Sequence, residues 1–420
     1  MKRYLLTVLM NICMLTMLQA QYTAPPADSS ITYVAGEGLY IRLGKLNAHT
    51  FNILTTVQAG GQYNRIDSVN SNRLSLNLVR LAFTGSVLRD KVSMALVTDF
   101  AGVTPILEGW IGFSVLNKKG KLYIGQRQTH TNNRLAMADE RFAHNLGQTL
   151  AGKSNDGIVY GGLMQNFVGA TREGGLFLET NIQLGSWKLY PSVSVTTGEG
   201  QNFFDMQNNT GFKYGGRLDI LPLGDFIKNN AFIAEDIYRE PTPKLAVGIA
   251  GSYNIKAGSP MGSESTTINS IYNKKGEADF ADYGKLVADI MFKLNGFSLI
   301  GEYTNSIVRG KELYLNQSAS NRLTPEMAAA YYHTGSAINV QTAYVTRSGW
   351  SAGGRYTHIE PEFNTAESLV KKQNWHTLTV NKYLKNNALR AGINVSYLTS
   401  EQNGIKSKSW LGNLAVQISL

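Results

Sequence analysis

The sequence is poor in the residues from which disulfides, redox centres and metal sites are built. Its 420 residues contain one cysteine, Cys13, which lies in an apolar run near the N-terminus. We therefore expect a mature chain without a thiol, and so without disulfides or zinc-thiolate sites. The six histidines are never closer than fourteen residues in sequence, so no short metal-binding spacing occurs. We expect no metal and no cofactor.

Long hydrophobic runs are missing after the first twenty residues. Lys2 and Arg3 precede a mainly apolar run that ends at Leu18, and Ala20 supplies a small residue before an expected cleavage site. We interpret residues 1–20 as a signal peptide. No later stretch approaches the eighteen apolar residues of a membrane helix. If the exported chain enters a membrane, it therefore does so with strands.

A strong excess of one charge is also missing. Lys2 and Arg3 are the only basic residues in the first twenty, so 38 of the 40 basic residues remain against 30 acidic ones, and the net charge falls from +10 to +8. We find no run of five or more basic residues, so we expect no nucleic-acid partner. Proline is scarce, at 10 residues, whereas glycine, at 42, and tyrosine, at 21, are abundant. This composition is typical of a barrel whose apolar and polar residues alternate.

The last twelve residues have the two-residue period of a strand. Its apolar face carries Trp410, Leu414, Val416, Ile418 and Leu420, and its polar face carries Asn413, Gln417 and Ser419. Residues 388–398 repeat the pattern, and we expect a polar loop over 400–408 between the two strands. An amphipathic strand at the end of an exported chain predicts an outer-membrane β-barrel, because a closed barrel leaves no unpaired edge in lipid.

The same pattern predicts sixteen strands and an all-β fold, a transmembrane antiparallel β-barrel over residues 51–420. The predicted strands are 51–63, 74–87, 92–100, 106–116, 121–128, 176–184, 187–197, 212–221, 245–253, 283–292, 297–308, 337–346, 350–359, 374–383, 388–398 and 409–420. Residues 21–50 are expected to form a flexible leader with room for a short strand at Leu39 to Leu43. The linkers alternate between short and longer, which matches short periplasmic turns and longer external loops.

Three linkers do not follow this alternation simply. Ala101 to Pro105 is short for an external loop, and Pro222 to Lys244 is long for a periplasmic turn and contains three prolines. The apolar run Gly157 to Phe167 would make a seventeenth strand and invert the order, so we assign it to the loop before it. Residues 129–175 then form one very long third external loop, and loops of this length are usually functional or disordered.

We expect the third loop to fold inward and narrow a pore, since a barrel of sixteen strands has room for it. An outward surface loop is the alternative. The candidate constriction residues are Arg134, Asp139, Glu140, Arg141 and Lys153. Gly147 to Ser154 also matches the phosphate-binding pattern G-x-x-x-x-G-K-[ST], but the buried strand before it and the helix after it are absent from the sequence pattern, so we expect no nucleotide site.

Strand parity places twelve charged side chains on the inner face of the predicted barrel, six of each sign. These pore-lining candidates are Arg80, Asp99, Glu108, Glu179, Lys213, Arg217, Asp219, Lys285, Asp289, Glu302, Arg355 and Arg390. Each one could simply pair across neighbouring strands or solvate the interior. Together they require water inside, because a charge facing lipid at mid-depth costs about 2 to 4 kcal/mol.

Several short motifs resemble the phosphate-selective porin O and P family. They are Leu74 to Phe100, Leu122 to Gln126, Thr197 to Gln201 with Gly215 to Pro222, and Leu378 to Tyr397. The resemblance implies a sixteen-stranded homotrimeric channel whose third loop narrows the pore and whose arginines line one wall for anions. This sequence departs from the family in its mixed inward charges and in its last residue, Leu420.

We therefore predict a porin of the bacterial outer membrane, in contact with outer-membrane lipid, through which small polar or anionic solutes diffuse. We expect no catalytic residues. A barrel hydrolase is the second hypothesis, because a Ser-His or paired-carboxylate site can be assembled across strands without a local motif. A closed structural or adhesive barrel is the third.

Overall fold

The computed structural model describes residues 29–45, 47–101, 106–137, 163–168, 171–201, 211–262, 268–309, 312–385 and 388–420. Nineteen strands lie in one antiparallel sheet. They are β1 Ser30–Val34, β2 Gly38–Leu43, β3 His49–Ile66, β4 Val69–Val87, β5 Val92–Asp99, β6 Ile106–Val115, β7 Gly120–Gln128, β8 Arg172–Thr180, β9 Ile182–Leu184, β10 Trp187–Thr196, β11 Lys213–Leu221, β12 Lys244–Asn254, β13 Asp282–Leu294, β14 Phe297–Arg309, β15 Gly335–Val345, β16 Trp350–Pro361, β17 Lys372–Leu384, β18 Leu389–Gln402 and β19 Ile405–Ser419. In this part of the chain no helix is long and apolar enough to span a membrane.

The sheet closes on itself because the last strand pairs with β3. The pairing runs from Ser409 opposite Ile66 to Ser419 opposite Thr56. Strands β8 and β9 occupy one position in the wall, since both pair with β10 and only Asn181 separates them. The wall from β3 to β19 therefore contains sixteen strands, which confirms the predicted fold class, and all sixteen predicted strands are present.

Burial alternates along the strands as the sequence pattern requires. On β18, Ile393 and Val395 are 52 % and 44 % exposed, whereas Arg390 and Asn394 are each 3 % exposed. The apolar side chains point outward and the polar side chains point into the barrel. This is the reverse of a soluble protein and suits a barrel surrounded by lipid.

Residues before the barrel form a short hairpin, β1 and β2. Strand β2 pairs with β3 from Leu39 opposite Ile53 to Leu43 opposite His49. The pairing of β19 with β3 stops at Thr56. Strand β2 therefore pairs with residues 49–53 of β3, which precede Thr56 and have no partner on β19.

Two connections are tighter than the sequence analysis predicts. The loop expected over 400–408 is wrong, because β18 and β19 join through Asn403 and Gly404 alone. These two residues have φ values of 48° and 78°, and Asn-Gly is the strongest sequence signal for a two-residue hairpin turn. Strands β3 and β4 likewise extend beyond their predicted ends and leave only residues 67–68 between them.

The two rims of the barrel differ in their connections. One rim, which we call the short-turn rim, has links of two to four residues, with the exception of residues 222–243, which we call the inserted segment. The other, the long-loop rim, carries the third loop, which ends at residue 171 because β8 begins at Arg172. Of the run Gly157 to Phe167, residues 157–162 lie outside the described residues, and Leu163 to Val168 form a helical turn in which Leu163, Phe167 and Val168 are buried.

Candidate functional site

Three carboxylates lie on one rung of the inner wall. Asp219 on β11 pairs with Gly248 on β12, Gly248 with Asp289 on β13, and Asp289 with Glu302 on β14. These three residues are 8 %, 5 % and 3 % exposed. The antiparallel register alone brings together residues that are far apart in sequence, and carboxylates this close to one another need cations.

Two arginines supply the positive charge. The Arg217 guanidinium lies across the rung and donates to Asp219 Oδ2 at 2.7 Å and to Asp289 Oδ2 at 2.7 Å. Arg134, from the third loop, donates through Nε to Asp289 Oδ1 at 2.7 Å and through Nη2 to Asp219. Gly248 is required between them, because a Cβ there would overlap the Arg217 guanidinium. The result is a buried network of two arginines and two aspartates.

The wall holds the third loop through several further contacts. Glu302 Oε1 accepts from the backbone N–H of Leu135 at 2.9 Å, and Thr304 Oγ1 donates to Asn133 Oδ1 at 2.8 Å. Lys285 Nζ donates to Asn132 Oδ1 at 2.7 Å and to the carbonyl of Phe167 at 3.1 Å. Both described parts of the third loop are therefore anchored inside the barrel.

Strands β4 to β8 and the first residue of β11 carry a second set of ion pairs. Arg80 lies 3.7 Å from Asp99, and Arg172 lies 3.3 Å from Glu108. Lys213 Nζ is 2.8 Å from Glu173. Each of these cations lies beside a carboxylate, which leaves this part of the wall without a field of one sign.

Glu179 is the most accessible carboxylate of this second set, with 28 % of its side chain exposed. Arg127 Nη1 and His130 Nε2 each lie 2.5 Å from Glu179 Oε1. The Arg127 guanidinium also lies 3.8 Å from the ring centroid of Tyr123, a cation–π contact. Three polar groups are thus fixed next to aromatic surface that faces the lumen.

The inserted segment enters the barrel from the short-turn rim. Lys293, at the end of β13, donates to the carbonyls of Ile233 at 2.6 Å, Asn230 at 2.7 Å and Glu235 at 3.0 Å. Asp236 accepts from the Gly296 N–H at 2.7 Å. A fully buried lysine that is satisfied by backbone carbonyls fixes the position of the inserted segment.

Glu235 provides a second anchor for the inserted segment and is fully buried. It accepts hydrogen bonds from Asn381 and Tyr383, each at 3.1 Å, and from Ser351. Burial raises the pKa of its carboxyl group.

His333 is a titratable group near the long-loop rim. Burial lowers the pKa of its imidazole to about 4. The ring is therefore neutral, and it donates to the carbonyl of Asn166 at 2.8 Å.

The third loop and the inserted segment meet inside the barrel. Arg134 Nη1 donates to the carbonyl of Ala231 at 3.5 Å, and its guanidinium lies 6.0 Å from the Phe232 ring centroid. Leu135 and Phe226 belong to one apolar cluster with Ala231. The lumen is thus narrowed from both ends by two connections that contact each other.

All twelve sequence-predicted wall residues point inward in the structure. Eight of them, Arg80, Asp99, Glu108, Glu179, Lys213, Arg217, Asp219 and Asp289, form ion pairs. Lys285 and Glu302 bind the third loop. Arg355 and Arg390 are 5 % and 3 % exposed on the inner faces of β16 and β18. That these residues line an open pore stays a prediction.

Of the candidate constriction residues, the structure describes Arg134. It lies in the third loop against the inner wall and is 1 % exposed. The predicted constriction residues Asp139, Glu140, Arg141 and Lys153 lie outside the described residues, as does the whole motif 147–154.

Sequence reasoning missed several residues of this site. On β7, Arg127 lies four positions after the inward Tyr123. On β13, Lys293 lies four positions after the inward Asp289. The two-residue period of a strand therefore predicts that Arg127 and Lys293 also point inward. The role of Glu235 has no such signal, because it lies between strands. In the described part of the chain no group of three or more His, Cys, Asp or Glu residues is placed to hold a metal ion.

Comparison with known proteins supports the architecture. No family model matches the chain, and no curated protein matches it in sequence. The fold is similar to an anion-selective porin from Comamonas acidovorans, with a TM-score of 0.53 and 11 % identity over 89 % of this chain and 100 % of that one. It is also similar to the outer membrane channel DcaP of Acinetobacter baumannii, with a TM-score of 0.52 and 11 % identity over 90 % and 99 % of the two chains. Pseudomonas putida OprB matches with a TM-score of 0.51 and 10 % identity over 88 % and 94 %. The fold is therefore that of bacterial outer-membrane porins.

Proposed function

We propose that this protein is an outer-membrane porin, a channel through which small polar solutes diffuse after residues 1–20 are removed on export. The observation that carries the proposal is the wall itself. Ionised and amide side chains line the inside of a closed barrel whose outer face is apolar, and such a barrel is stable only with lipid outside and polar contents inside. The similarity in fold to porins supports this proposal.

We also propose that the channel prefers anions only weakly. The resemblance to the phosphate-selective porin O and P family implies an array of arginines that is available to a passing anion. In this structure Arg80, Arg127, Arg134, Arg172 and Arg217 all lie beside carboxylates. An anion gains little from a cation that is already paired, so width at the constriction should matter more than charge.

The hydrolase hypothesis receives less support from the structure. His130 contacts Glu179, His333 contacts the carbonyl of Asn166, and His358 contacts Asn374. These partners are a carboxylate, a backbone carbonyl and an amide oxygen, which hold the imidazole rings in place. None of the three is a hydroxyl group, which is the group that a histidine activates in nucleophilic catalysis. We therefore favour a channel without catalytic activity, and we propose a homotrimer as the family resemblance implies.

Single-channel recording in planar bilayers tests the function. We expect stable open steps, and in a salt gradient a reversal potential only slightly displaced toward that of chloride, because the wall charges are balanced. Replacing chloride by phosphate should not increase the anion preference. Absence of open steps would contradict a channel, and strong selection of phosphate over chloride would contradict the balanced wall.

A further inference from the structure

A cavity of about 440 Å³ lies between the two segments that narrow the lumen. The third loop bounds it with His130 and Arg134, the inner wall with Glu179 and Tyr190, and the inserted segment with Asp225 and Phe232. Its volume falls in the range of small-molecule sites, about 300 to 1,000 Å³.

Aromatic and aliphatic surface forms much of the cavity. Tyr190 on β10 and Phe232 on the inserted segment both line it, together with Leu221 and Pro191 of the wall. The Tyr190 ring is held in place because its hydroxyl donates to Asp225 Oδ1 at 2.5 Å. Two fixed rings can contact the flat C–H face of an organic solute without losing much conformational entropy.

The charged groups of the cavity are already compensated. Glu179 pairs with Arg127, and Asp219 pairs with Arg134 and Arg217. Asp225, half of whose side chain is exposed, lies 3.7 Å from Lys188. A free ion that enters the cavity would lose hydration. The charged side chains that could compensate for this loss are already paired with one another, so the transfer of an ion from water is unfavourable.

Compensated carboxylates can still accept hydrogen bonds. An ionised carboxylate has about four acceptor positions, and the pairs formed by Glu179 and Asp225 do not use all of them. Hydroxyl groups of a solute can therefore donate to these two side chains without any net change of charge. Two aromatic rings together with carboxylate acceptors in one cavity are complementary to a neutral polyol.

We propose that this cavity is a binding subsite for an uncharged organic solute with a flat apolar face and several hydroxyl groups, the chemistry of a sugar. The proposal rests on the proposed channel function and names the solute class that the constriction selects. It places the selective contacts on Tyr190 and Phe232, with Glu179 and Asp225 as hydrogen-bond acceptors.

Blockade of single-channel current by sucrose tests the proposal. We expect sucrose to interrupt the current with a saturable concentration dependence. Tyr190→Ala and Phe232→Ala should each weaken the apparent affinity about two- to tenfold, as expected for the loss of one aromatic contact. Tyr190→Phe, which keeps the ring, should have a smaller effect. Tyr397→Ala is the matched control, because Tyr397 lies beside Trp410 on the outer face, and it should leave the affinity unchanged.

Three outcomes would overturn the subsite while leaving the channel intact. They are open channels that sucrose does not block, equal sucrose affinity in Tyr190→Ala and the unmodified protein, and stronger blockade by inorganic phosphate than by sucrose. If the protein does not conduct, the channel function fails, and calorimetric titration of the detergent-solubilised protein with sucrose decides the subsite separately. Heat of binding that Tyr190→Ala reduces would support the subsite, and no heat of binding would overturn it.

Discussion

At the scale of single residues, buried hydrogen bonds hold the connecting segments inside the barrel. Lys293 is the clearest case, since its ammonium group is 0 % exposed and binds three backbone carbonyls of the inserted segment. Removing such a group leaves buried acceptors unpaired, which costs about 1 to 3 kcal/mol for each. The inserted segment should then leave its position more readily than the barrel unfolds.

Lys293→Met should therefore raise the mean single-channel conductance and make it noisier, while the barrel still assembles. Recording in planar bilayers measures this effect. Lys244→Met is the matched control, since Lys244 binds one carbonyl, that of Leu223, at the surface. Unchanged conductance in Lys293→Met would show that the inserted segment does not obstruct the pore.

The burial of Glu235 predicts that the stability of the docked inserted segment depends on pH. Burial raises the pKa of Glu235, so the protonated form fits the docked state best. Stabilisation by a group whose pKa is raised is complete at low pH and is lost as the pH rises through the raised value. Conductance should therefore increase as the pH rises through the raised pKa of Glu235, and Glu235→Gln should show a flatter pH profile. An identical profile in Glu235→Gln would assign the pH dependence to other groups.

At the scale of elements, the third loop extends into the lumen and binds the inner wall. Its residues bind β11, β13 and β14, whereas the strands on either side of it, β7 and β8, pair directly with each other. The wall therefore does not need the loop for its closure. The loop and the wall can be separated by deletion.

Deleting Thr131 to Gly152 should raise single-channel conductance severalfold while the barrel remains assembled. Deletion of the exposed turn Asn316 to Asn321 at the same rim should leave conductance unchanged. Recording of both variants in one lipid mixture makes the comparison. If the first deletion prevents assembly, the loop is needed for folding as well as for the width of the pore. If it leaves conductance unchanged, the conducting path lies elsewhere in the lumen.

At the scale of the whole molecule, the closed ladder of backbone hydrogen bonds governs stability. A barrel that is closed by β3 and β19 has no edge from which to fray. The purified protein should resist SDS without heating, migrate differently after boiling, and give a circular dichroism spectrum dominated by strands. A spectrum dominated by helix would contradict the barrel.

The sequence by itself determined the number of strands and the direction of their side chains. Both follow from a two-residue period that each strand carries locally, as in the alternation from Ser409 to Leu420. It also contained the signal for the turn at Asn403 and Gly404, in the Asn-Gly pair itself. Parity was enough to place Asp219, Asp289 and Glu302 on the inner face.

Only the tertiary structure decided what fills the barrel. The contacts of Arg134 with Asp289 and of Lys293 with Asn230 join residues that are 155 and 63 positions apart. The two-residue period of the strands does not encode such pairs, because Arg134 and Asn230 lie in connections between strands. Their positions are set by which buried donors and acceptors can satisfy one another once the wall has closed, so the shape of the lumen is a property of the assembled barrel.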